Sequence, residues 1–225
     1  MSNKLKISEL SVAKKGEQLL APLSLEIESS FFLSIVGNNG VGKSTFLRCL
    51  INQEEYQGKI ESPFEPTAIS YLPQQQELTF DLPVKEIVVM GLYSKLKLFQ
   101  NYGAEHYNEV RDLLKVLGIE DLYDRHFKEL SGGQQQLVWL AQTLIKKPRL
   151  LILDEPTASL DVSNKVKVFK LLESLHLKDQ LSIICATHDL YLLKRIKGKL
   201  LNLSTIKPEI LDITDTVIDF FYELD

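Results

Sequence analysis

The segment GNNGVGKST (Gly37–Thr45) restricts this chain more than any other. It fits the pattern G-x-x-x-x-G-K-[ST], a loop that works only when a buried strand delivers it and a helix leaves it. Both flanks comply. FFLSIVG (Phe31–Gly37) is apolar and β-branched, as a strand buried on both faces should be, and the spacing turns helical from Ser44 to Ile51. Gly37, Gly40 and Gly42 let the backbone turn so that several N–H groups face one concavity. The N-terminus of the following helix adds about half a positive charge. Lys43 would reach the β- and γ-phosphates of a nucleotide, and the Ser44 hydroxyl would take a Mg2+ position. The plainer alternative, a glycine-rich turn with a solvated lysine, does not account for the strand and helix on either side.

A loop of this kind needs a parallel sheet around it, and the chain supplies one. Strand-like alternation in LKISELSV (Leu5–Val12) and LSLEI (Leu23–Ile27) precedes the loop. GKIES (Gly58–Ser62) and AISYLPQ (Ala68–Gln74) read as short strands, and RLLILD (Arg149–Asp154) and LSIICATHD (Leu181–Asp189) as buried ones. Helices are expected over Val84–Ser94, Ala104–Gly118 with Gly118 as its C-cap, Gly133–Ile145 and Lys165–Leu175. Strands alternating with helices imply an α/β fold with helices on both faces of a mostly parallel sheet. The stretch from about Glu77 to Leu130 reads as a helical insertion. At 225 residues the chain fits one large domain, or one with an insertion. The net charge is −4, from 26 basic and 30 acidic residues, which argues against a nucleic-acid partner held by general electrostatics. Cys49 and Cys185 are too few for a disulfide framework and suit a reducing compartment. We expect no signal peptide and no membrane-crossing segment, so any membrane process would need another polypeptide to span the bilayer.

Two further segments carry chemistry. In LLILDEPTASLD (Leu150–Asp161) an apolar strand brings Asp154 and Glu155 to its C-terminal end, where α/β proteins place their sites. Neighbouring carboxylates repel unless a cation or proton sits close by. Asp154 suits Mg2+ binding, and Glu155 can accept a proton from an attacking water; a solvated acidic turn before Pro156 is the alternative. LSGGQ (Leu130–Gln134) opens a helix, and Ser131 with the N–H groups of Gly132 and Gly133 makes a second anion cradle. A serine N-cap with loop glycines describes the same residues more plainly. One complete nucleotide loop and one spare cradle are economically explained by a symmetric pair of chains, each closing over the partner's nucleotide.

In order, GNNGVGKST, YLPQ, LSGGQ, LLILDEP, SLD and THD resemble the ATP-binding subunit of ABC transporters over roughly residues 5–200. The resemblance implies a P-loop NTPase core with a small N-terminal antiparallel β subdomain and an inserted helical subdomain. Residues 1–76 and 136–225 would form the core, and 77–135 the helical part with the signature. It implies ATP and Mg2+ as cofactors. Gly37, Asn38, Asn39, Gly40, Val41, Gly42, Lys43, Ser44 and Thr45 would form the Walker A loop, and Leu150–Asp154 the Walker B strand. Glu155 would be the catalytic glutamate and His188 the switch histidine that donates to the γ-phosphate. Gln74 would approach Mg2+ and the water, its register open by one position within Gln74–Gln75–Gln76. Ser131, Gly132, Gly133 and Gln134 would contact the opposing nucleotide, and Asp161 would lie at the dimer seam. His106, His126 and His176 have no metal-ligand spacing and receive no role.

The chain also departs from the family. Lys14 stands where an adenine-stacking aromatic is usual, so the base would rest on a lysine stem or be held with relaxed selectivity. Leu137 and Gln142 stand where arginines are usual. After GKLLNLS (Gly198–Ser204) we expect neither the usual glycine turn nor a paired strand, and Ile213–Asp225 reads as an amphipathic terminal helix. The implied function is the ATP-hydrolysing motor of a membrane transporter, as a head-to-tail dimer on the cytoplasmic face, bound to permease subunits and through them to a substrate-binding protein. Glu77–Leu96 is similar to importers of metal ions or metal chelates. An exporter subunit and a soluble ABC-type ATPase stand as alternatives.

Overall fold

The computed structural model describes residues 3–96, 100–194, 196–205 and 208–222. The chain opens with a hairpin of two long strands, β1 (Lys4–Lys14) and β2 (Glu17–Glu28), and β4 (Gln57–Glu61) pairs with the other edge of β1. All these pairings are antiparallel. Only one face of this small sheet is covered, so its sequence alternates. Leu5, Ile7, Leu10 and Val12 are buried, and the residues between them are not.

The second sheet has the order β5 (Ile69–Leu72), β6 (Leu150–Asp154), β7 (Ser182–Ala186), β3 (Phe32–Val36), β8 (Lys199–Asn202), β9 (Ile210–Asp212). The strands from β5 to β8 run parallel, and β9 returns antiparallel to β8. In β3, β6 and β7 every residue is buried. Successive side chains feed opposite cores. Leu151, Leu153, Ile183 and Cys185 join one cluster with the helices, whereas Leu150, Ile152, Ile184 and Ala186 join another beneath the antiparallel sheet and α1 (Lys43–Leu50). Two apolar environments, one per face, are why these strands read as largely apolar runs, with Ser34 in β3, Asp154 in β6 and Ser182 in β7 as buried polar exceptions.

The inserted stretch differs in detail from its expected form. Only Val84–Val89 is α-helical (α2), and Met90–Lys95 winds into a 3-10 helix. Gly91 explains the change: a Cβ there would lie 2.2 Å from the Gln142 carbonyl oxygen, so the backbone tightens where it crosses α4 (Gly132–Leu144). α3 (Ala104–Leu117) ends as expected at Gly118, whose φ is 72°. α5 (Val162–Asp179) begins before its apolar spacing indicates, because Asp161 caps it: its carboxylate accepts the Asn164 N–H at 2.9 Å.

The C-terminal expectation needs correction. A paired strand is present: β9 aligns Leu201 with Ile210 and Lys199 with Asp212, without a glycine turn. Leu200 and Leu201 are fully buried on opposite faces, so β8 is a central strand and β9 covers its outer edge. The terminal segment is helical as α7 (Asp215–Tyr222), with Ile218 buried against the larger core. Residues 223–225 of that segment lie outside the described residues. No helix among the described residues is long and apolar enough to cross a membrane.

Candidate active site

Parallel strands put all their C-terminal ends on one side, and in this chain that side collects the chemistry. β3 runs into the phosphate loop, β5 into Gln74, β6 into Asp154 and Glu155, and β7 toward His188. Lys43, Ser44, Gln74, Asp154, Glu155 and His188 line one cleft of about 180 Å3, together with Asn39, Gly40, Gly42 and Thr45. Gln74 lines both this cleft and a neighbouring groove, and Gln75 and Gln76 line the groove.

The loop is built as its glycines require. Gly42, with φ at 102°, is the N-cap of α1, and a Cβ there would fall 2.4 Å from the Leu19 carbonyl oxygen of β2. Only glycine meets both conditions. Inside the loop the Val41 N–H donates to the Asn38 carbonyl at 3.3 Å. Lys43 Nζ donates to the carbonyls of Gly37 at 2.7 Å and Asn38 at 3.2 Å. Burial lowers the Lys43 pKa, opposed by the charges of Glu155 and Asp154.

Asp154 is buried at the end of β6, and burial raises its pKa against hydrogen bonds from Ser44 and Tyr71 and the charges of Arg48 and Lys43. Glu155 continues the ladder by donating its N–H to the Ala186 carbonyl at 3.0 Å, then turns sharply with φ at 52°. A left-handed glutamate costs about 1–2 kcal/mol, and the turn aims its carboxylate into the cleft. There Oε1 lies 3.1 Å from His188 Nε2, a close contact without the alignment of a full hydrogen bond. Burial pushes the Glu155 pKa up to about 7, although Lys43 and the His188 backbone amide oppose it. A carboxyl poised there can hold or accept a proton near neutrality.

The oxygen donors present fit a hard divalent ion: Ser44, Asp154 and Gln74, which carry a hydroxyl, a carboxylate and an amide oxygen, line the same cleft.

The second cradle lies elsewhere. Ser131, Gly132, Gly133 and Gln134 line a separate cleft with Asp161, and the two clefts share no lining residue. Ser131 and Gln134 form a reciprocal cap on α4, with Ser131 Oγ accepting the Gln134 N–H at 3.3 Å and Gln134 Oε1 accepting the Ser131 N–H at 3.0 Å. The plainer N-cap reading therefore holds, and the glycine N–H groups stay at the positive end of the helix. A Cβ on Gly133 would come 3.1 Å from the Ser159 carbonyl oxygen, so the cradle packs tightly on the segment leading to Asp161. Lys14 does not line the first cleft; its exposed Nζ is 3.6 Å from Glu54. At the usual arginine positions Leu137 is buried, and Gln142 Nε2 donates to the Ile87 carbonyl of α2 at 3.0 Å.

Some participants are visible only in three dimensions. Asp189 is fixed by Thr157 Oγ1 at 2.8 Å and Lys165 Nζ at 3.0 Å, and this holds the turn that carries His188. Tyr71 sits close to Asp154, and its own pKa is pushed up to about 12, chiefly by burial. Asp189 and Tyr71 sit inside quoted motifs, but nothing in those strings indicates their partners.

The ABC transporter family model matches residues 20–158. The chain is 34% identical over 203 residues to a Helicobacter pylori protein named "Probable iron chelatin transport ATP-binding protein", covering 85% of this chain and 80% of that one. Its fold is similar to that of a metal-chelate type ABC transporter in an inward-facing conformation (TM-score 0.82, 30% identity, 93% of this chain and 84% of that one). It is also similar to a dimeric ATP-binding cassette holding ADP and Pi after hydrolysis (TM-score 0.80, 25% identity, 91% and 97%). The glycine-rich loop between β3 and α1, the acidic end of β6 and the separate Ser131–Gln134 start of α4 accompany likenesses that identify the chain as a member of the ABC transporter family, an ATP-binding and ATP-hydrolysing subunit.

Proposed function

We propose that this subunit powers the import of a metal ion or metal chelate through a membrane permease. The observation that carries the catalytic part is the division of the site: one cleft holds Lys43, Ser44, Gln74, Asp154, Glu155 and His188, and another holds Ser131, Gly132, Gly133, Gln134 and Asp161. Two copies placed head to tail would set the second cleft of each over the nucleotide of the other. The backbone amides of the loop from Gly37 to Thr45, with Lys43, hold the β- and γ-phosphates. Ser44, Asp154 and Gln74 would hold Mg2+, which when bound neutralises phosphate charge. Glu155 accepts a proton from the attacking water as its oxygen bonds to the γ-phosphorus and the bond to ADP breaks. His188 donates to the γ-phosphate, and the partner's Ser131 meets its other side. Lys14, outside the cleft of Lys43 and beside Glu54, would meet the adenine with its aliphatic stem or leave the base held with relaxed selectivity.

The groove lined by Arg48, Tyr71, Gln74, Glu77 and Gln142 supports a permease partner beside the inserted helices of residues 77–135, where Phe80, Met90 and Tyr93 are exposed apolar side chains. A chain that works through such a partner would sit on the cytoplasmic face, and a substrate-binding protein would join through the permease. The likeness to an iron chelatin transport ATP-binding protein and to a metal-chelate type transporter favours a metal or chelate cargo. The test is affinity purification of the tagged chain from its host membranes, followed by uptake of labelled iron chelate, manganese and zinc in a strain lacking it. Recovery of a multi-span protein and loss of uptake of one cargo are expected. Unchanged uptake of all three would remove the import reading.

A further inference from the structure

We propose that Ser204 is a positioning residue for the phosphate loop, holding the Gly37–Asn38 peptide in the orientation that nucleotide binding requires. The position of Ser204 follows from the sheet. β8 pairs with β3 so that Asn202 lies opposite Val36, and the Leu203 N–H donates to the Val36 carbonyl at 3.0 Å. Past that point the two strands part, β3 into the loop and β8 into a turn. Asn202 shapes the turn: its Oδ1 accepts the Ser204 N–H at 2.9 Å, and its carbonyl accepts Thr205 Oγ1 at 3.0 Å. The turn points Ser204 Oγ at the loop, where it accepts the Asn38 N–H at 2.8 Å.

That N–H and the Gly37 carbonyl belong to one peptide plane. Lys43 Nζ holds the carbonyl end at 2.7 Å while Ser204 holds the amide end, so the plane is fixed from both sides. Gly37 has φ at 140°, and a Cβ there would lie 2.9 Å from Ser204 Oγ. The glycine lets the hydroxyl approach, but it also leaves this peptide easy to rotate. When Lys43 turns from the Gly37 carbonyl to a phosphate, one of the two restraints is withdrawn. Ser204 then remains as the restraint on the first peptide of the loop.

The role rests on the phosphate-loop reading above, and the test separates the two. Ser204→Ala and Ser204→Thr are compared with wild type and Lys43→Ala in the full chain, by equilibrium titration with ATP and Mg2+ and by the KM and kcat of hydrolysis. Losing one neutral hydrogen bond should weaken ATP binding and raise KM about 5-fold in Ser204→Ala. Its kcat should stay within about 2-fold of wild type, because the contact serves ground and transition states alike. Ser204→Thr keeps the oxygen and should restore both affinity and KM. Amide exchange at Asn38 should quicken in the alanine variant and return to the wild-type rate in the threonine one. Ser204 is exposed, so neither change threatens the core. If Lys43→Ala weakens ATP binding and Ser204→Ala does not, or if threonine fails to rescue, the positioning role is wrong. If Lys43→Ala itself binds ATP like wild type, the loop reading fails and this inference goes with it.

Discussion

Glu155 shows how much chemistry one residue's surroundings can create. Its left-handed backbone and buried carboxyl work against stability, and both place it in the cleft with Lys43 and Ser44. Glu155→Gln keeps the shape but removes the proton acceptor, so hydrolysis should fall by about 100-fold or more while ATP still binds; unchanged turnover would take Glu155 out of its role. The same residue gives a pH signature. Its folded pKa, about 7, lies above the ordinary carboxyl value, so the folded state holds this proton more tightly than the unfolded chain does. That contribution is complete at low pH and is lost as pH rises through about 7. In the nucleotide-free protein, Glu155→Gln should therefore gain melting temperature over wild type as pH goes from about 5 to 8. A constant gap across that range in thermal unfolding would show that the carboxyl is not perturbed. The other histidines also gain an explanation: His106 accepts the Gly103 N–H at 2.9 Å, His126 pairs with Asp81, and His176 meets the Leu181 carbonyl, all structural contacts.

Among the elements, Gly91 marks a close crossing of the stretch after α2 over α4. Gly91→Ala would drive a methyl into the Gln142 carbonyl and Ile145, so it should destabilise the fold by about 1–3 kcal/mol. Urea unfolding would measure that loss, and a change under about 0.5 kcal/mol would mean the crossing relaxes freely. This crossing also marks a limit on what the sequence reveals. β3, β6 and β7 were legible because burial on both faces leaves a largely apolar run, and the loop was legible because its residues are contiguous. The expected helix over Val84–Ser94 is helical, but it tightens to 3-10 from Met90 on, which side-chain spacing does not register. β9 was missed because its pairing depends on β8, not on its own three residues. For the same reason the string THD suggested His188 but not the Thr157 and Lys165 that steady it from 32 and 24 residues away from Asp189. Ser204, 166 residues from Asn38, gave no local sign at all.

At the scale of the whole molecule, the separation of the two clefts predicts complementation. A chain with Lys43→Ala and a chain with Ser131→Arg should each be inactive alone. Mixed dimers would carry one damaged pair and one intact pair of half-sites, so an equimolar mixture should regain roughly a quarter of the wild-type sites. Hydrolysis by the mixture no greater than by either chain alone would rule out the shared site. The same layout gives α4 a mechanical consequence. Ser131 sits at its first residue's shoulder and Gln142 two turns or more beyond, so one rod touches both the anion cradle and the groove beside Gln74. At 1.5 Å per residue, its 13 residues make a lever about 20 Å long. A tilt of about 10° at the cradle end displaces the far end by about 3–4 Å, a stroke large enough to shift whatever docks there.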